Sequence, residues 1–321
     1  MTERVKIVKV ALIGVGNNVS ALVQGIALYR ATGSQVGIRR PVLDGLSVGD
    51  IDFVAAFAIS PEKIGKDLTE AIFLPPNNLP RLDGELPPSG ITVRRGLTDA
   101  ADLDRVTGEI AGAEVVLYAA PSGRPETARA YAEAALRAGA AFINTTSDAV
   151  ARDQQVLDRF VAAGLPLLGD DLASQFGTSV VHHALLRLLQ ERGLTLISSY
   201  QASLGGTEDI RNIAEGSNTK HQSKLNAVTA DGTAAGRVQV ARTGYLSQLN
   251  SHKVAHINVE AQAWGETSVS LDVKLKVHDP SGAAGVTVDL IRMAASALRQ
   301  GRAGYVAEAT PLLKSPPGTS V

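Results

Sequence analysis

The chain has 321 residues, 45% hydrophobic and 20% charged, with a formal net charge of −1. That length can bury a large core and points to two domains. The balanced charge supplies no basic surface for nucleic acid, and the absence of cysteine excludes disulfides, thiolate catalysis and cysteine-ligated metal.

No apolar run approaches the roughly 20 residues that a membrane span requires, and Met1–Ile7 lacks the apolar stretch of a signal peptide. A cytoplasmic location with no membrane partner is the expectation. In chain order, an apolar strand is predicted over Val5–Ile13, followed by Gly14-Val-Gly16 and a helix over Val19–Arg30. Residues 31–50 read as a loop, Asp52–Ile59 as a second buried strand and Pro61–Phe73 as a helix with proline in its first turn. Residues 74–90, with five prolines, form another loop. Short apolar strands are predicted at Glu114–Ala120, Ala140–Asn144 and Leu165–Gly169, with helices over 124–138, 152–163 and 175–192. Continuous apolar strands alternating with helices give an α/β fold with a Rossmann-like, doubly wound parallel sheet.

After about residue 194 the pattern changes. Leu196–Leu204, Val254–Trp264 and Ser268–His278 alternate as strands with one exposed face do. The last two read as a hairpin, and helix 284–300 as a return to the first sheet. The expected division is a nucleotide-binding domain at 1–195 plus 285–321, with an α+β mixed-sheet domain inserted at 196–284.

The glycine turn is the strongest chemical signal. A strand running into GxG and then a helix brings a dinucleotide pyrophosphate onto N–H groups at a helix start. Val19 stands where the third glycine of that fingerprint belongs, so a ligand-free tight turn remains the competing reading. Lysine is the second signal. Only ten of the 31 basic residues are lysine, and none lies between Lys66 and Lys220. Lys220 and Lys224 share a face if their segment is helical, and Lys274 and Lys276 share one face of a strand. Ammonium groups converging on one site would bind phosphate or neutralise an oxyanion at an enolate or alkoxide; scattered surface lysines are the alternative. Asp170 and Asp171 end a strand before Ser174-Gln-Phe-Gly-Thr178, either a phosphate seat or a simple helix cap. Leu204-Gly-Gly-Thr-Glu-Asp209 is a glycine turn, catalytic or merely sharp. His182 and His183 have no third ligand at metal spacing and read as structural.

Taken together, Gly14–Gly25, Gly169-Asp-Asp171, the Lys220 and Lys224 pair, and Leu313-Lys-Ser-Pro-Pro317 resemble the myo-inositol-1-phosphate synthase family in its short bacterial form. The resemblance implies a Rossmann domain with an inserted tetramerisation and catalytic domain, hence a homotetramer. It implies an isomerase using NAD to oxidise glucose 6-phosphate at C5, enolise it, close the ring by an aldol step and reduce the product to inositol 3-phosphate.

By resemblance, Lys274 and Lys314 would contact the reacting oxygens, and Lys220, Lys224 and Lys253 would hold phosphate or shuttle protons. Asp279 would orient a lysine, and Asp171 would sit near the nicotinamide. Gly14, Gly16, Asn17, Asn18, Val19, Ala58, Ser60, Ala120 and Asn144 would surround the cofactor. Ser174, Gln175, Ser203, Gly206, Thr207 and Asp209 would face the substrate. A divalent or monovalent cation near the substrate phosphate is also implied, with no ligands assigned. The chain departs from the family pattern at Ala58, where an aspartate commonly meets the ribose, so NADP remains open. It departs again at Ala173, Ser203, Thr207 and Asn144-Thr-Thr-Ser147. These departures point to retained cyclase chemistry on an altered substrate, such as fructose 6-phosphate closing to a five-membered ring. A plain dehydrogenase and a non-catalytic nucleotide-binding protein are the remaining readings.

Overall fold

The computed structural model describes residues 7–99, 102–215, 219–230, 232 and 236–319. The first half alternates β1 (Val8–Ile13), α1 (Asn17–Thr32), β2 (Ile51–Ala58), α2 (Leu68–Ala71), β3 (Val93–Arg95), α3 (Leu103–Glu109), β4 (Val115–Tyr118) and α4 (Pro125–Ala138). It continues through β5 (Ala141–Asn144), α5 (Gln154–Ala163), β6 (Pro166–Leu168) and α6 (Thr178–Glu191). Then come β7 (Thr195–Gly205), α7 (Glu208–Glu215), α8 (Thr219–Val228), β8 (Val238–Val240) and β9 (Gly244–Tyr245). The chain closes with β10 (His252–Gln262), β11 (Ser268–His278), α9 (Asp279–Arg299) and β12 (Gly304–Tyr305).

Seven parallel strands form one sheet in the order β12-β6-β5-β4-β1-β2-β3. Its central strands are mostly apolar, with Lys9 exposed near the start of β1, because helices cover both faces. On one face Leu12, Ile51, Leu117 and Ile143 pack with Leu22 of α1 and Leu290 and Ile291 of α9. On the other, Ile13, Phe57, Tyr118 and Phe142 meet Val106, Tyr131 and Phe160 of α3, α4 and α5. The strand order reverses direction between β1 and β4, and a crevice opens there beyond the strands' C-terminal ends.

A second, mixed sheet runs β11-β10-β7-β8, with β9 also paired to β7. β7, β10 and β11 are antiparallel neighbours, whereas β8 and β9 lie parallel to β7. Leu186 of α6 and Val228 of α8 cover Ile257 and Val259 on one face.

Most predicted elements stand within a few residues of their expected bounds, although Val5 and Lys6 of the first strand lie outside the described residues. The predicted helix over 61–73 is a correction. Residues 61–66 form turns, and only Leu68–Ala71 is helical. Asp67 has extended backbone and accepts from Thr69 N at 2.8 Å, so it caps a helix that can start only after it. α9 begins at Asp279 rather than 284; Pro280 in its first turn is compatible with a helix start, but Gly282 and Gly285 obscure the pattern. β3 and α3 stand in 91–113, a stretch for which the sequence pattern predicts no element.

Candidate active site

A cavity of about 730 Å³ opens where β1, β2 and β4 end and extends to α7, α8, β10 and the start of α9. Gly14 turns at φ +96°, and a Cβ there would lie 2.7 Å from the Ala119 carbonyl, so only glycine lets β1 bend beside β4. Gly16 precedes α1 without a side-chain cap, and no acidic residue occupies that helix's first turn. A Cβ on Gly16 would meet no protein atom within 4 Å. The α1 N-terminus therefore faces the cavity uncovered and positive, which fits the diphosphate of a dinucleotide.

The far end of the cavity carries lysines. Lys220 and Lys224 lie on one face of α8, Lys253 at the start of β10, and Lys314 on a C-terminal segment. That segment is fixed by backbone pairing with residues 170–173: Lys314 N donates to Asp171 O at 2.6 Å, and Ala173 N to Leu312 O at 2.9 Å.

Asp171 is the buried anchor beneath the lysines. Its Oδ1 accepts from Lys220 Nζ at 2.6 Å and Lys314 Nζ at 2.9 Å, and its Oδ2 from Ser223 Oγ at 2.5 Å. Burial works against this carboxylate's charge, but the two ammonium groups and Ser223 outweigh it and hold the group below the usual carboxylate range. Asp279 stands 3.5 Å from Lys253 and is likewise held low, its burial being overcome by Lys253 first and then the other lysines. Asp209 faces the cavity with its pKa raised, since desolvation there exceeds the pull of Lys220.

Three of these lysines are perturbed differently. Burial would lower Lys220, yet Asp171 and Asp209 raise it and keep it charged. Lys224 donates to Thr243 Oγ1, and among the described residues no carboxylate is bonded to it. Burial, with Lys253, Lys314 and Lys220 adding repulsion, pushes it well below the normal lysine value. Lys314 is lowered to about 8, chiefly by burial, with Asp171 resisting. The site thus holds a cation fixed by Asp171, an amine whose charged form burial and repulsion disfavour, and a group lowered to about 8.

Of the sequence-predicted residues, Gly14, Gly16, Asn17, Asn18, Ala58, Ser60, Ala120, Ser174, Thr207, Asp209, Lys220, Lys224, Lys253, Asp279 and Lys314 line the cavity. Several expectations are corrected. Lys274 is exposed on the edge strand β11 opposite His256 and does not line the cavity with the other lysines. Val19 is buried in the α1 core instead.

Asn144 is consumed by structure: its Nδ2 donates to Asp148 O and Asp170 Oδ1, and its Oδ1 accepts from Thr146. Thr145 and Thr146 reach the cavity in its place. Gln175 is exposed and donates to the Gly37 carbonyl, while Ser203 is buried on β7 opposite Ala255. Gly206 lies behind the wall, its carbonyl accepting from Asn78 Nδ2 at 2.9 Å. Asp171 acts through the lysines rather than at the surface of the cavity. Of the departures, Ala58, Thr207, Thr145 and Thr146 face the cavity, whereas Ala173 and Ser203 do not.

Sequence reasoning missed Lys63, Ser223 and Thr243, because only the tertiary fold buries them. Among the described residues, no group of His, Asp or Glu has the arrangement of a metal site, and no helix is long and apolar enough to cross a membrane.

A family model described as myo-inositol-1-phosphate synthase matches residues 177–280, the span from α6 to the start of α9. The inositol-3-phosphate synthase of Mycolicibacterium smegmatis is 34% identical, with 99% of this chain and 95% of that protein covered. The crystal structure of Ari2 is 47% identical at a TM-score of 0.86, with 98% and 93% covered. A myo-inositol-1-phosphate synthase-related protein from Thermotoga maritima, 22% identical over 97% of this chain and 93% of its own, shares the fold at a TM-score of 0.79.

Proposed function

This chain belongs to the myo-inositol-1-phosphate synthase family, and from that premise we propose an NAD-dependent isomerase that closes glucose 6-phosphate into inositol 3-phosphate. The observation carrying the reading is the cluster of buried lysines, perturbed in different directions, at one end of a cavity whose other end is a glycine turn suited to a diphosphate. Gly14, Gly16, Asn18, Ser60 and Ala120 would hold the cofactor. When bound, its nicotinamide supplies a hydride acceptor at the opening oxidation and a donor at the closing reduction.

Between those events the chain's own residues handle protons and charge. With C5 as a ketone, a C6 proton becomes acidic, and Lys224, whose charged form is disfavoured by burial and by neighbouring ammonium groups, is suited to take it. The enolate oxygen gains negative charge, which Lys220 can oppose because Asp171 keeps it protonated. The C6 carbon then bonds to C1, and the C1 carbonyl oxygen becomes an alkoxide that takes a proton from Lys314. Lys253, paired with Asp279, is left to face the substrate phosphate. One carbon–carbon bond forms, one C6–H bond breaks, and the hydride balance returns to zero.

A second reading has one observation in its favour. Identity to Ari2 is 47%, against 34% to the named synthase, so the synthase substrate does not transfer automatically. Fructose 6-phosphate oxidised at C5 would let C6 attack the C2 ketone with the same groups and give a five-membered cyclitol phosphate. With Ala58 in place of a ribose-binding acid, NADP stays within the proposal's range. The implied homotetramer is supported by β11, a sheet edge whose Val269 and Leu271 are exposed. Each sugar phosphate, incubated separately with enzyme and NAD, tests the reading by NMR of the products. An inositol phosphate supports the first, a five-membered cyclitol phosphate the second, and no carbocycle from either defeats both.

A further inference from the structure

Lys63 is only 3% exposed, yet it lines the cavity at the glycine-turn end, far along the chain from the catalytic lysines. Its Nζ donates to Val15 O at 2.7 Å and to Asn77 Oδ1 at 2.8 Å. Asn77 Nδ2 donates to the same Val15 carbonyl at 3.1 Å. That carbonyl belongs to the peptide joining Val15 to Gly16. A trans peptide is planar, so its N–H points opposite to its C=O. Holding Val15 O with two donors therefore fixes the direction of the Gly16 N–H.

We propose that Lys63 is a cofactor-positioning residue: clamped on the Val15 carbonyl by a charge-assisted bond, it aims the Gly16 N–H at a nucleotide diphosphate. The proposal rests on the reading of this cavity as a dinucleotide site. A lysine has three N–H donors, and two are committed to the clamp. The clamp also has a second half: Asn17 Oδ1 accepts from Asn78 N and Leu79 N, and Asn78 reaches the Gly206 carbonyl beside the substrate end. Loop 77–79 thereby joins the diphosphate turn to the turn before α7. Burial lowers Lys63 to about 8 against the opposing pull of Glu62, the charged group acting on it. The packed segments 14–18 and 73–79 contain no titratable residue.

ADP-ribose binding, measured by calorimetry on the full chain, tests this without any turnover. Lys63→Met should weaken ADP-ribose about tenfold. Wild-type affinity should fall as pH rises through about 8, and Lys63→Met should lose that dependence. A Lys63→Met protein that binds within twofold of wild type, with the same pH profile, overturns the proposal and leaves the cofactor reading intact. Wild type that binds no ADP-ribose overturns both. If Lys63→Met does not fold, Lys63→Arg, which stays charged, decides: loss of the decline through about 8 supports the proposal and an unchanged decline overturns it.

Discussion

Lys220 and Lys224 stand one helical turn apart on the same face of α8, yet they titrate in opposite directions. The difference lies in their partners. Lys220 donates to the buried carboxylate of Asp171, whereas Lys224 donates to the neutral hydroxyl of Thr243 and feels three other ammonium groups. Two identical side chains are thus pushed in opposite directions by their partners, the asymmetry on which the proposed cation and base roles rest.

Replacing the base should stop the chemistry without emptying the site. Lys224→Met is expected to lower kcat by about 10²–10⁴, with ADP-ribose affinity held within twofold. Steady-state rates beside calorimetry check both halves. A variant retaining more than a tenth of wild-type kcat would remove Lys224 from the proton transfer.

The pH profile follows from the two lowered lysines. Lys314 must be charged to give a proton, so kcat should fall as pH rises past about 8. Lys224 must be neutral, so kcat should also fall in acid as that amine becomes protonated. Because the lysines interact, each limb belongs to the group as a whole. Lys314→Arg, whose side chain stays charged, should remove the alkaline limb.

Asp171→Asn should destabilise the fold by about 3–5 kcal/mol, because it leaves buried ammonium groups without their counter-charge. The wild-type carboxylate titrates below its unfolded range, so its contribution is complete at neutral pH. It is lost as pH falls through the depressed folded value. Thermal unfolding at neutral pH measures the loss; an unchanged midpoint would show that the anchor lies elsewhere.

Lys274 gives the opposite expectation. It is exposed on β11, outside the cavity, so Lys274→Ala should leave kcat and KM within twofold. A loss beyond tenfold would require this residue to reach a site through another copy of the chain.

The parallel sheet was legible because β1, β2, β4 and β5 carry near-continuous apolar runs such as Val10–Ile13 and Val115–Tyr118, a pattern that survives without tertiary information. The glycine turn was legible for the same local reason. The short strands β3, β8, β9 and β12 were not, since two or three residues carry no period. Within the site, the Lys220 and Lys224 pair could be read from helical spacing. The anchoring role of Asp171 could not, because Lys314 meets it from 143 residues away. Lys274 misled for a related reason: a lysine beside Lys276 on a strand looks no different in sequence whether it faces a cavity or water. Asn144 misled because its amide, polar and close to the strand end, is spent entirely on Asp148, Asp170 and Thr146.

The most direct test of lysine-driven ring closure uses glucose 6-phosphate or fructose 6-phosphate carrying two deuterons at C6, with NAD in catalytic amount. The account predicts a carbocyclic phosphate that has lost one deuteron to solvent, formed over many turnovers with no build-up of NADH. An open-chain product that keeps both deuterons, with NADH formed in step with it, would contradict the account.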